Sequence, residues 1–309
     1  MTVDLLCMGE PMLEFNLLPP GPDGRRLYLE GHGGDTSNTA VAAARQGARV
    51  GFITALGQDA AGDSFIALWQ REGIDSSTVI RMKDHPTAVY IVTHGPNGHE
   101  FLYYRAGSAA AHYTPAHLPT DAIANARMLF ASGVSQAISP SAADAVFHAI
   151  DIARAQKIAV AYDTNYRPRL WPAARAAAVI HAAIAQSDYA LPSREDAEAL
   201  TNLTDPDAIL DFYLRLGPKV VALKLGQAGT YLATPDHRLR IPPFPVKAVD
   251  GTGAGDTFCG SFLARILAGD TPEQAARYAA VAAALKCTGY GAVAPMPTGE
   301  QVRAALAAA

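Results

Sequence analysis

The chain has 309 residues, of which 50% are apolar and 17% charged, and its net charge is −4. This length suffices for one large or two coupled domains around a sizeable core. A net negative charge without any block of Lys and Arg argues against a nucleic-acid partner, and no apolar run reaches the roughly 18 residues that span a membrane. Cys7, Cys259 and Cys287 have no C-x-x-C spacing, which predicts buried thiols in a reducing cytoplasm rather than zinc ligands.

The first 112 residues contain mostly strand patterns. Short apolar or alternating runs, separated by Gly and Pro, predict strands at 3–8, 12–18, 26–30, 49–55, 79–82, 87–93 and 100–105. Apolar residues at helical spacing predict helices at 39–46 and 60–72. The last two strands flank Asn97-Gly98, a dipeptide typical of hairpin turns.

From residue 128 onward, strand and helix patterns alternate. The predicted strands are 128–132, 158–162, 189–191, 219–225, 230–233 and 238–241, and the predicted helices are 141–156, 173–186, 195–200, 206–216, 256–268, 271–287 and 298–308. Such alternation predicts a doubly wound α/β fold, in which helices cover both faces of a mostly parallel sheet. We expect one domain over residues 1–309, with a small β lid formed by segments of about 12–32 and 86–112.

Polar or glycine-rich segments follow several predicted strands. They lie at 163–171, 193–196 and 226–229, and a further strand near Val249 is expected to lead into a glycine-rich motif. In an open parallel sheet, ligands bind beyond the carboxyl ends of the strands. The sequence therefore predicts a ligand site along one edge of the sheet.

The glycine-rich motif ends in a carboxylate. Gly251, Gly253 and Gly255 alternate up to Asp256, and an apolar run with helical character follows. A helix start with nearby glycines offers free N–H groups to an anion such as phosphate. A carboxylate there repels phosphate, but it suits a base that takes a proton from a hydroxyl attacking the phosphate. The alternative is that Asp256 or Thr257 simply caps the helix.

Known phosphate-binding motifs do not explain this stretch. A dinucleotide fingerprint needs a third glycine where Asp256 stands, and no Walker A string occurs in the chain. A nicotinamide dehydrogenase is therefore disfavoured.

Two further clusters suggest a small polar ligand. Gly33, Gly34, Asp35 and Asn38 precede a helix, where they either hold a polyol or form a capped loop. In the strand at 100–105, the two-residue period places Tyr103 and Arg105 on one face and Tyr104 on the other. Such an exposed face suits a carboxylate or a sugar acid, with a plain cross-strand surface pair as the alternative.

Together, these motifs resemble the ribokinase-like, phosphofructokinase-B-type carbohydrate kinases over nearly the whole chain. Gly33-Gly34 with Asn38, and the string from Gly251 to Asp256, carry this resemblance. Within the family the chain is most similar to the 2-keto-3-deoxygluconate kinases, through the strings at 9–14, 33–38, 103–109 and 165–171.

The resemblance implies an ATP-dependent phosphotransferase that acts directly on a primary hydroxyl of the sugar acid. Asp256 is then the catalytic base, and the N–H groups of Gly253, Ala254 and Gly255 form the anion hole for the transferred phosphoryl group. The positions that hold the keto-deoxy acid are Gly34, Tyr90, Tyr103, Arg105 and Arg167, with Glu14 and Asn38 as hydroxyl partners. Which of the two arginines takes the carboxylate is open.

The same resemblance implies a nucleotide side and its ions. Its residues are Ser193, Lys224, Gly226, Gly229, Gly253 and Gly255 near the phosphates, and Ala283 and Cys287 beside the adenine. The segment from Ser193 to Asp196 replaces the N-x-x-E motif that positions Mg²⁺ in many relatives, so Asp196 is expected as an indirect metal contact. Some relatives bind K⁺ through carbonyls near Asp250 and Thr252, and the sequence neither establishes nor excludes this ion.

Other interpretations stay open at this stage. A kinase of a neutral sugar such as fructose or ribose is disfavoured by two arginines, Arg105 and Arg167, which it would leave unpaired. A non-catalytic sugar or nucleotide sensor would not need Asp256. Exposed strand edges on the lid favour pairing with a second copy, so we expect a homodimer or a higher homo-oligomer.

Overall fold

The computed structural model describes residues 3–95 and 98–308. Its strands are β1 (Leu5–Met8), β2 (Met12–Leu18), β3 (Leu27–Gly33), β4 (Val50–Ile53), β5 (Ala55–Gly57), β6 (Ile80–Met82), β7 (Ala88–Gly95), β8 (Gly98–Tyr104), β9 (Met128–Ser132), β10 (Ala159–Asp163), β11 (Tyr189–Ala190), β12 (Val220–Lys224), β13 (Thr230–Ala233) and β14 (Arg238–Ile241). Its α-helices are α1 (Asp35–Arg45), α2 (Ala60–Arg71), α3 (Thr120–Ala124), α4 (Gly133–Ala137), α5 (Pro140–Ala155), α6 (Ala173–Ile184), α7 (Arg194–Thr201), α8 (Pro206–Leu216), α9 (Ala254–Leu267), α10 (Pro272–Lys286) and α11 (Gly299–Ala307). Among the described helices, none has the length and apolar character to cross a membrane.

An eight-stranded sheet forms the centre of the fold. Its strand order is β14-β13-β12-β11-β10-β9-β1-β4. Six neighbouring strands of this sheet run parallel, namely β12, β11, β10, β9, β1 and β4. Strands β13 and β14 are added antiparallel at the β12 edge. The chain order reverses between β1 and β9, which makes this the switch point where ligands bind in doubly wound folds. The predicted fold class is confirmed.

Side-chain alternation on the central strand β1 divides the core into two layers. Leu6 and Met8 pack on the face that α5, α6, α7 and α8 cover. Leu5 and Cys7 pack on the opposite face, against α1, α2, α9 and α10. Because neighbouring side chains of a strand point to opposite faces, a short apolar run without polar gaps fits a strand buried on both sides.

A separate four-stranded sheet has the order β3-β2-β7-β8. It lies within the segments predicted to form the lid, with β2 parallel to β7 and the other pairs antiparallel. The predicted hairpin is present as the β7–β8 pair, although Asn97 of its predicted turn lies outside the described residues. The large apolar residues exposed on this sheet are Leu18, Leu27, Tyr28, Leu29, Leu102, Tyr103 and Tyr104.

Three sequence predictions about local structure need correction. The predicted strand at 49–55 is divided into β4 and β5. The helix expected at 39–46 begins at Asp35, because Gly34 adopts a φ of 99° and turns the chain directly into α1. The strand expected near Val249 is absent, because residues 242–253 form an irregular loop in which Pro242, Pro243 and Pro245 lack the N–H groups of a strand ladder.

Helices α1 and α9 touch through their backbones at Gly260. A Cβ atom added there would lie 2.3 Å from the carbonyl oxygen of Thr39 and 2.7 Å from the Cβ of Ala42. The glycine is therefore required by space, and it sets the distance between the two helices that carry the acidic and amide groups of the candidate site.

We expect Gly260→Ala to lower the free energy of unfolding by about 1–3 kcal/mol, because the clash with a backbone oxygen cannot relax without moving a helix. The gain in helix propensity from Gly to Ala, about 1 kcal/mol at most, opposes this effect but is smaller. Urea denaturation followed by circular dichroism measures the difference. The control is Ser261→Ala, because the buried hydroxyl of Ser261 has no hydrogen-bond partner among the described residues and its removal should change little. Equal stability of Gly260→Ala and the parent would contradict the packing argument.

Candidate active site

The glycine-rich motif forms the start of α9. Gly253 is the N-cap with a φ of 76°, and a Cβ on it would lie 3.2 Å from Ala292. No side chain caps the helix, so the alternative that Asp256 or Thr257 is a capping residue is wrong. Both residues lie inside the first turn, where the Thr257 hydroxyl donates back to the Gly253 carbonyl at 2.8 Å.

Two of the three backbone donors expected for an anion have no partner within the described residues. These are the N–H groups of Gly253 and Gly255, which belong to the unsatisfied donors that every helix start leaves. The third, the N–H of Ala254, donates to the Gly251 carbonyl at 3.1 Å and is engaged in this conformation. A Cβ added to Gly255 would lie 3.7 Å from Lys224 Nζ, so an ammonium group also borders this first turn.

Asp256 lies where the two helices meet. Its carboxylate accepts a hydrogen bond of 2.8 Å from the Nδ2 of Asn38, which is on α1. Burial, and then the negative charges of Asp35 and Asp163, raise the pKa of Asp256 to about 7, although Asn38 and Lys224 act in the opposite direction. A carboxyl group that titrates near neutral pH is suited to general-base chemistry.

Two acidic residues complete this cluster, and the sequence placed both in polar segments without giving either a role in the kinase site. Asp35, in the first turn of α1, accepts hydrogen bonds from Ser132 Oγ at 2.5 Å and Asn165 Nδ2 at 2.8 Å. Its Oδ1 is buried and has no partner among the described residues, and burial raises the pKa of Asp35. Asp163, the last residue of β10, bonds Lys224 Nζ at 2.7 Å. Their positions at a helix start and at a strand end were the available sequence signals.

Lys224 is the cation of this cluster. It ends β12, and besides Asp163 it contacts the sulfur of Cys259 at 3.4 Å. Burial acts to lower the pKa of Lys224, but Asp163, Cys259 and Asp196 together outweigh burial, and the pKa lies above its ordinary value. The ammonium is therefore charged near neutral pH, within reach of an anion at the start of α9.

The predicted sugar-binding residues of the small sheet form one cluster. Tyr90 donates a short hydrogen bond to the buried Glu14 carboxylate, and its ring stacks on Tyr103 at 5.7 Å. A Cβ on Gly33 would lie 2.4 Å from the Tyr90 hydroxyl, so the glycine leaves room for this ring. Gly34 is also required, because a Cβ there would lie 2.4 Å from the Glu10 carbonyl oxygen.

The prediction that Arg105 lies on an exposed strand face is wrong. Arg105 follows β8, and its Nη2 lies 2.5 Å from the carboxylate of Glu10, which has no exposed surface. Glu10 also accepts a hydrogen bond of 2.7 Å from the Ser108 hydroxyl. Sequence reasoning missed this partner, because Glu10 is far away along the chain and its position directly after β1 was the only signal.

Arg167, unlike Arg105, is not paired with a buried carboxylate in the part of the chain that the structure describes. It is exposed, and its Nη1 donates to the Tyr166 carbonyl at 3.0 Å. Its positive charge lowers the pKa values of Asp35 and Asp196 in opposition to burial, so it lies in the same electrostatic neighbourhood. Of the two predicted arginines, the structure leaves Arg167 accessible to a ligand.

A cleft of about 710 Å³ lies on the other side of the α9 start. Its lining includes Lys224, Gly226, Gly229, Ala283 and Cys287, all of which were predicted on the nucleotide side. Cys287 is half-buried at this cleft, which corrects the expectation that all three cysteines are buried, whereas Cys7 and Cys259 have no exposed surface. The three thiols are free.

Ser193 and Asp196 lie at the start of α7, near the cleft. The Ser193 hydroxyl caps α7 by accepting from the Asp196 N–H at 3.2 Å, and a β-bridge joins Ser193 to Lys224. The Asp196 carboxylate accepts from Thr164 Oγ1 at 3.0 Å, and burial together with Asp163 raises its pKa. Within 3–95 and 98–308, no three His, Cys, Asp or Glu residues cluster as metal ligands. A magnesium ion here would need phosphate oxygens and water as its main ligands.

Comparison with known proteins places this site in a family. The sequence matches the pfkB family of carbohydrate kinases over residues 5–299. The chain belongs to this family. As a carbohydrate kinase it is a phosphotransferase with an alcohol group as acceptor, which rules out the dehydrogenase and sensor alternatives.

Two relatives of the same name are similar to this chain over most of its length. The chain is 32% identical to the 2-dehydro-3-deoxygluconokinase of Thermoproteus tenax, covering 92% of this chain and 88% of the relative. It is 31% identical to the enzyme of the same name from Bacillus subtilis strain 168, covering 100% and 97%. The crystal structure of a PfkB protein from Polaromonas sp. JS666 matches with a TM-score of 0.89 at 30% identity, covering 98% of this chain and 99% of that chain.

The prediction that Asp256 is the catalytic base implies that kcat/KM of this carbohydrate kinase falls about tenfold per pH unit below a pH of about 7, because the carboxyl group must be ionised to accept a proton. Asn38→Ala removes a hydrogen bond that lowers the pKa of Asp256, so the acidic limb of the profile should move to higher pH. Asp35→Asn removes a charge that raises this pKa, so the limb should move to lower pH. Both profiles are measured from initial rates, with the exposed Asp144→Asn as a control that leaves the limb in place. Shifts of the same sign in both variants would contradict the electrostatic account.

Proposed function

We propose that the protein is an ATP-dependent sugar-acid kinase. It transfers the γ-phosphate of MgATP to the primary hydroxyl of 2-keto-3-deoxygluconate and forms 2-keto-3-deoxy-6-phosphogluconate. The observation that carries the proposal is the position of Asp256, a carboxyl group with a pKa of about 7 between the cleft beside α10 and the aromatic side chains of Tyr90 and Tyr103. The names of the relatives from Thermoproteus tenax and Bacillus subtilis support the choice of sugar acid.

In this proposal, Asp256 takes the proton of the attacking hydroxyl. The N–H groups of Gly253 and Gly255 hold the charge that develops on the phosphoryl oxygens, and the Ala254 N–H joins them after leaving the Gly251 carbonyl. Each such preorganised donor is worth on the order of 3 kcal/mol in the transition state. Transfer is direct and in line, without a phosphoenzyme. The small sheet acts as a lid that excludes water and so limits ATP hydrolysis.

We place the nucleotide in the cleft beside α10. Gly226 and Gly229 adopt φ angles of 57° and 88° and let the backbone approach the phosphates. Lys224 pairs with the phosphates from the neighbouring strand end, and Ser193 lies beside it. Ala283 and Cys287 border the adenine. Asp196 orients the water shell of Mg²⁺ rather than binding the ion directly.

The sugar acid lies on the side of α1 and the small sheet. Glu14, Asn38, Tyr90 and Tyr103 contact its hydroxyls and ring carbons, and Gly34 gives it room. We assign its carboxylate to Arg167, because Arg105 is already paired with the buried Glu10. An exposed guanidinium can take a carboxylate with two parallel hydrogen bonds without first breaking a buried pair.

The Arg105–Glu10 pair weakens the sequence argument against the alternative, a kinase of a neutral sugar. The sequence argument against a neutral sugar rested on two unpaired arginines, and the structure pairs one of them. Only Arg167 then distinguishes the two substrate classes.

Arg167→Ala should raise KM for the sugar acid about 10- to 100-fold, which is the loss of one charged bidentate contact, and should leave KM for ATP nearly unchanged. Coupled measurement of ADP release, with 2-keto-3-deoxygluconate, its galactonate epimer, fructose and ribose as acceptors, tests both the proposal and this prediction. Arg175→Ala, an exposed arginine on α6, is the matched control. Turnover of fructose or ribose in preference to both acids would reject the sugar-acid proposal.

We also propose a homodimer formed through the small sheet. Seven large apolar side chains are exposed among the described residues of this sheet, and β3 and β8 are its open edges. The strand register places three of them, Tyr28, Leu102 and Tyr104, on the same face. Exposed apolar surface of this kind marks an interaction site. A cytoplasmic location stays a prediction from the sequence.

Replacing Tyr28 and Leu102 together by Glu should weaken the dimer at least about tenfold, because the strand register places both side chains on one face of the sheet and two charges would be buried in the interface. Light scattering over a concentration series measures the association. The control is Leu306→Glu on α11, which removes an exposed apolar side chain away from the small sheet. A wild-type protein that is monomeric at every concentration would refute the proposed interface.

A further inference from the structure

The last residue of α10, Lys286, is fully buried beneath the loop that leads into α9. Its Nζ donates a hydrogen bond of 2.8 Å to the carbonyl oxygen of Asp250. The next residue, Cys287, accepts from the N–H groups of Val249 at 2.7 Å and Asp250 at 3.1 Å. The end of α10 therefore fixes both the position and the peptide orientation at Asp250.

The Asp250 carboxylate continues this network into the anion hole. It accepts hydrogen bonds from the Thr252 N–H at 2.9 Å and hydroxyl at 2.7 Å, and from the Gly291 N–H at 2.8 Å. Thr252 is followed directly by Gly253, whose N–H group is one of the free donors of the site. A shift of the Asp250 peptide would therefore move the proposed phosphate seat.

A buried ammonium is an expensive way to hold a loop, because a neutral donor would make the same hydrogen bond at a smaller desolvation cost. Burial holds the pKa of Lys286 below its ordinary value, although the carboxylates of Asp250, Asp256 and Glu14 oppose that effect. In its protonated form, Lys286 holds a positive charge at the Asp250 carbonyl, directly behind the glycine loop.

The residues present do not fit a monovalent cation at the carbonyls suggested by the resemblance. A K⁺ ion bound to the Asp250 carbonyl would share this oxygen with the ammonium of Lys286, and the two positive charges would repel each other at short range.

We propose that Lys286 is a built-in cation that positions the loop at 250–253, so that phosphoryl transfer by this enzyme needs no monovalent metal ion. Lys286 is a positioning residue: it acts through Asp250 and the Gly253 N–H and does not touch the substrates. The inference rests on the proposed function for its kinetic test, but not for the thermal test described last.

The first experiment replaces all Na⁺ and K⁺ by tetramethylammonium at constant ionic strength, which keeps general screening unchanged. Wild-type kcat should stay within about twofold of its value in KCl, because only general screening is left to act. A more than fivefold stimulation by K⁺ would overturn the inference.

The second experiment uses Lys286→Met, which keeps the length of the side chain and removes its charge. In tetramethylammonium, kcat should fall about 10- to 100-fold while KM for ATP and sugar acid changes far less, as for the loss of one transition-state contact. Adding NH₄⁺ or K⁺ should restore part of kcat, because the freed carbonyl can then take a small cation. The control is Lys219→Met, a largely exposed lysine paired with Asp188, which should show neither effect. Loss of activity without any cation rescue would indicate a merely structural role.

The third experiment needs no substrate. The melting temperature of Lys286→Met should rise in KCl relative to tetramethylammonium chloride, whereas that of the wild type should not change. If the Met variant does not fold, Lys286→Gln offers a neutral donor in its place and is measured in the same way. An enzyme inactive towards every acceptor would refute the proposed function, while a wild-type melting temperature that rises with K⁺ would refute the built-in cation.

Discussion

The close contact between α1 and α9 is the constraint on which the site depends. A single glycine, Gly260, allows the two helix backbones to approach until no side chain fits between them. This approach brings Asn38 of α1 within 2.8 Å of Asp256 of α9, although 218 residues separate them along the chain. The first turns of both helices therefore lie next to each other. The Asp256 carboxylate and the free backbone donors both belong to the start of α9, and the packing adds Asn38 and Asp35 of α1 to them.

Burial, together with the charges around this contact, explains why the pKa of Asp256 is raised to about 7. Asp35, Asp163 and Asp256 come from three different elements, and together they would repel one another strongly if all were ionised. Lys224 compensates for Asp163 directly through a 2.7 Å contact, so the remaining repulsion falls on Asp35 and Asp256. A polyol would supply hydroxyl donors to these carboxylates, and the Mg²⁺ ion of a metal-bound nucleotide would supply positive charge. The acidic cluster thus matches the ligands that the proposed function requires.

The sequence predicted most of the framework because the framework follows local rules. Strand β2 and helix α8 have their predicted bounds, since alternation and helical periodicity are contained within a few neighbouring residues. The start of α1 was placed too late, because the positive φ of Gly34 is a backbone property that hydrophobic spacing does not report. The strand predicted near Val249 was wrong because the prediction relied on the apolar residues and gave too little weight to Pro242, Pro243 and Pro245, which disfavour a strand in this segment.

The side-chain partners of the site were harder to predict than its elements. Gly253, Gly255 and Asp256 could be identified because the phosphate seat is encoded in one continuous string. The partner of Arg105 could not, because the buried carboxylate of Glu10 reaches it from the end of another strand. Lys286 was missed as well, since a lysine at the end of a helix usually lies in solvent, and only the tertiary structure shows that it is buried.

The Arg105–Glu10 pair bears on which of the two predicted arginines could bind the carboxylate of a sugar acid. For Arg105 to bind a substrate carboxylate, it would have to leave a carboxylate that has no exposed surface, and Glu10 would then be a buried charge held only by Ser108. Breaking a buried pair on one side costs more than an exposed arginine pays in desolvation when it binds the same group. Substrate recognition through Arg167 therefore requires the smaller change. In this view, Arg105 has a different task, which is to hold the end of β8 against the end of β1 and so to fix the small sheet to the edge of the central one.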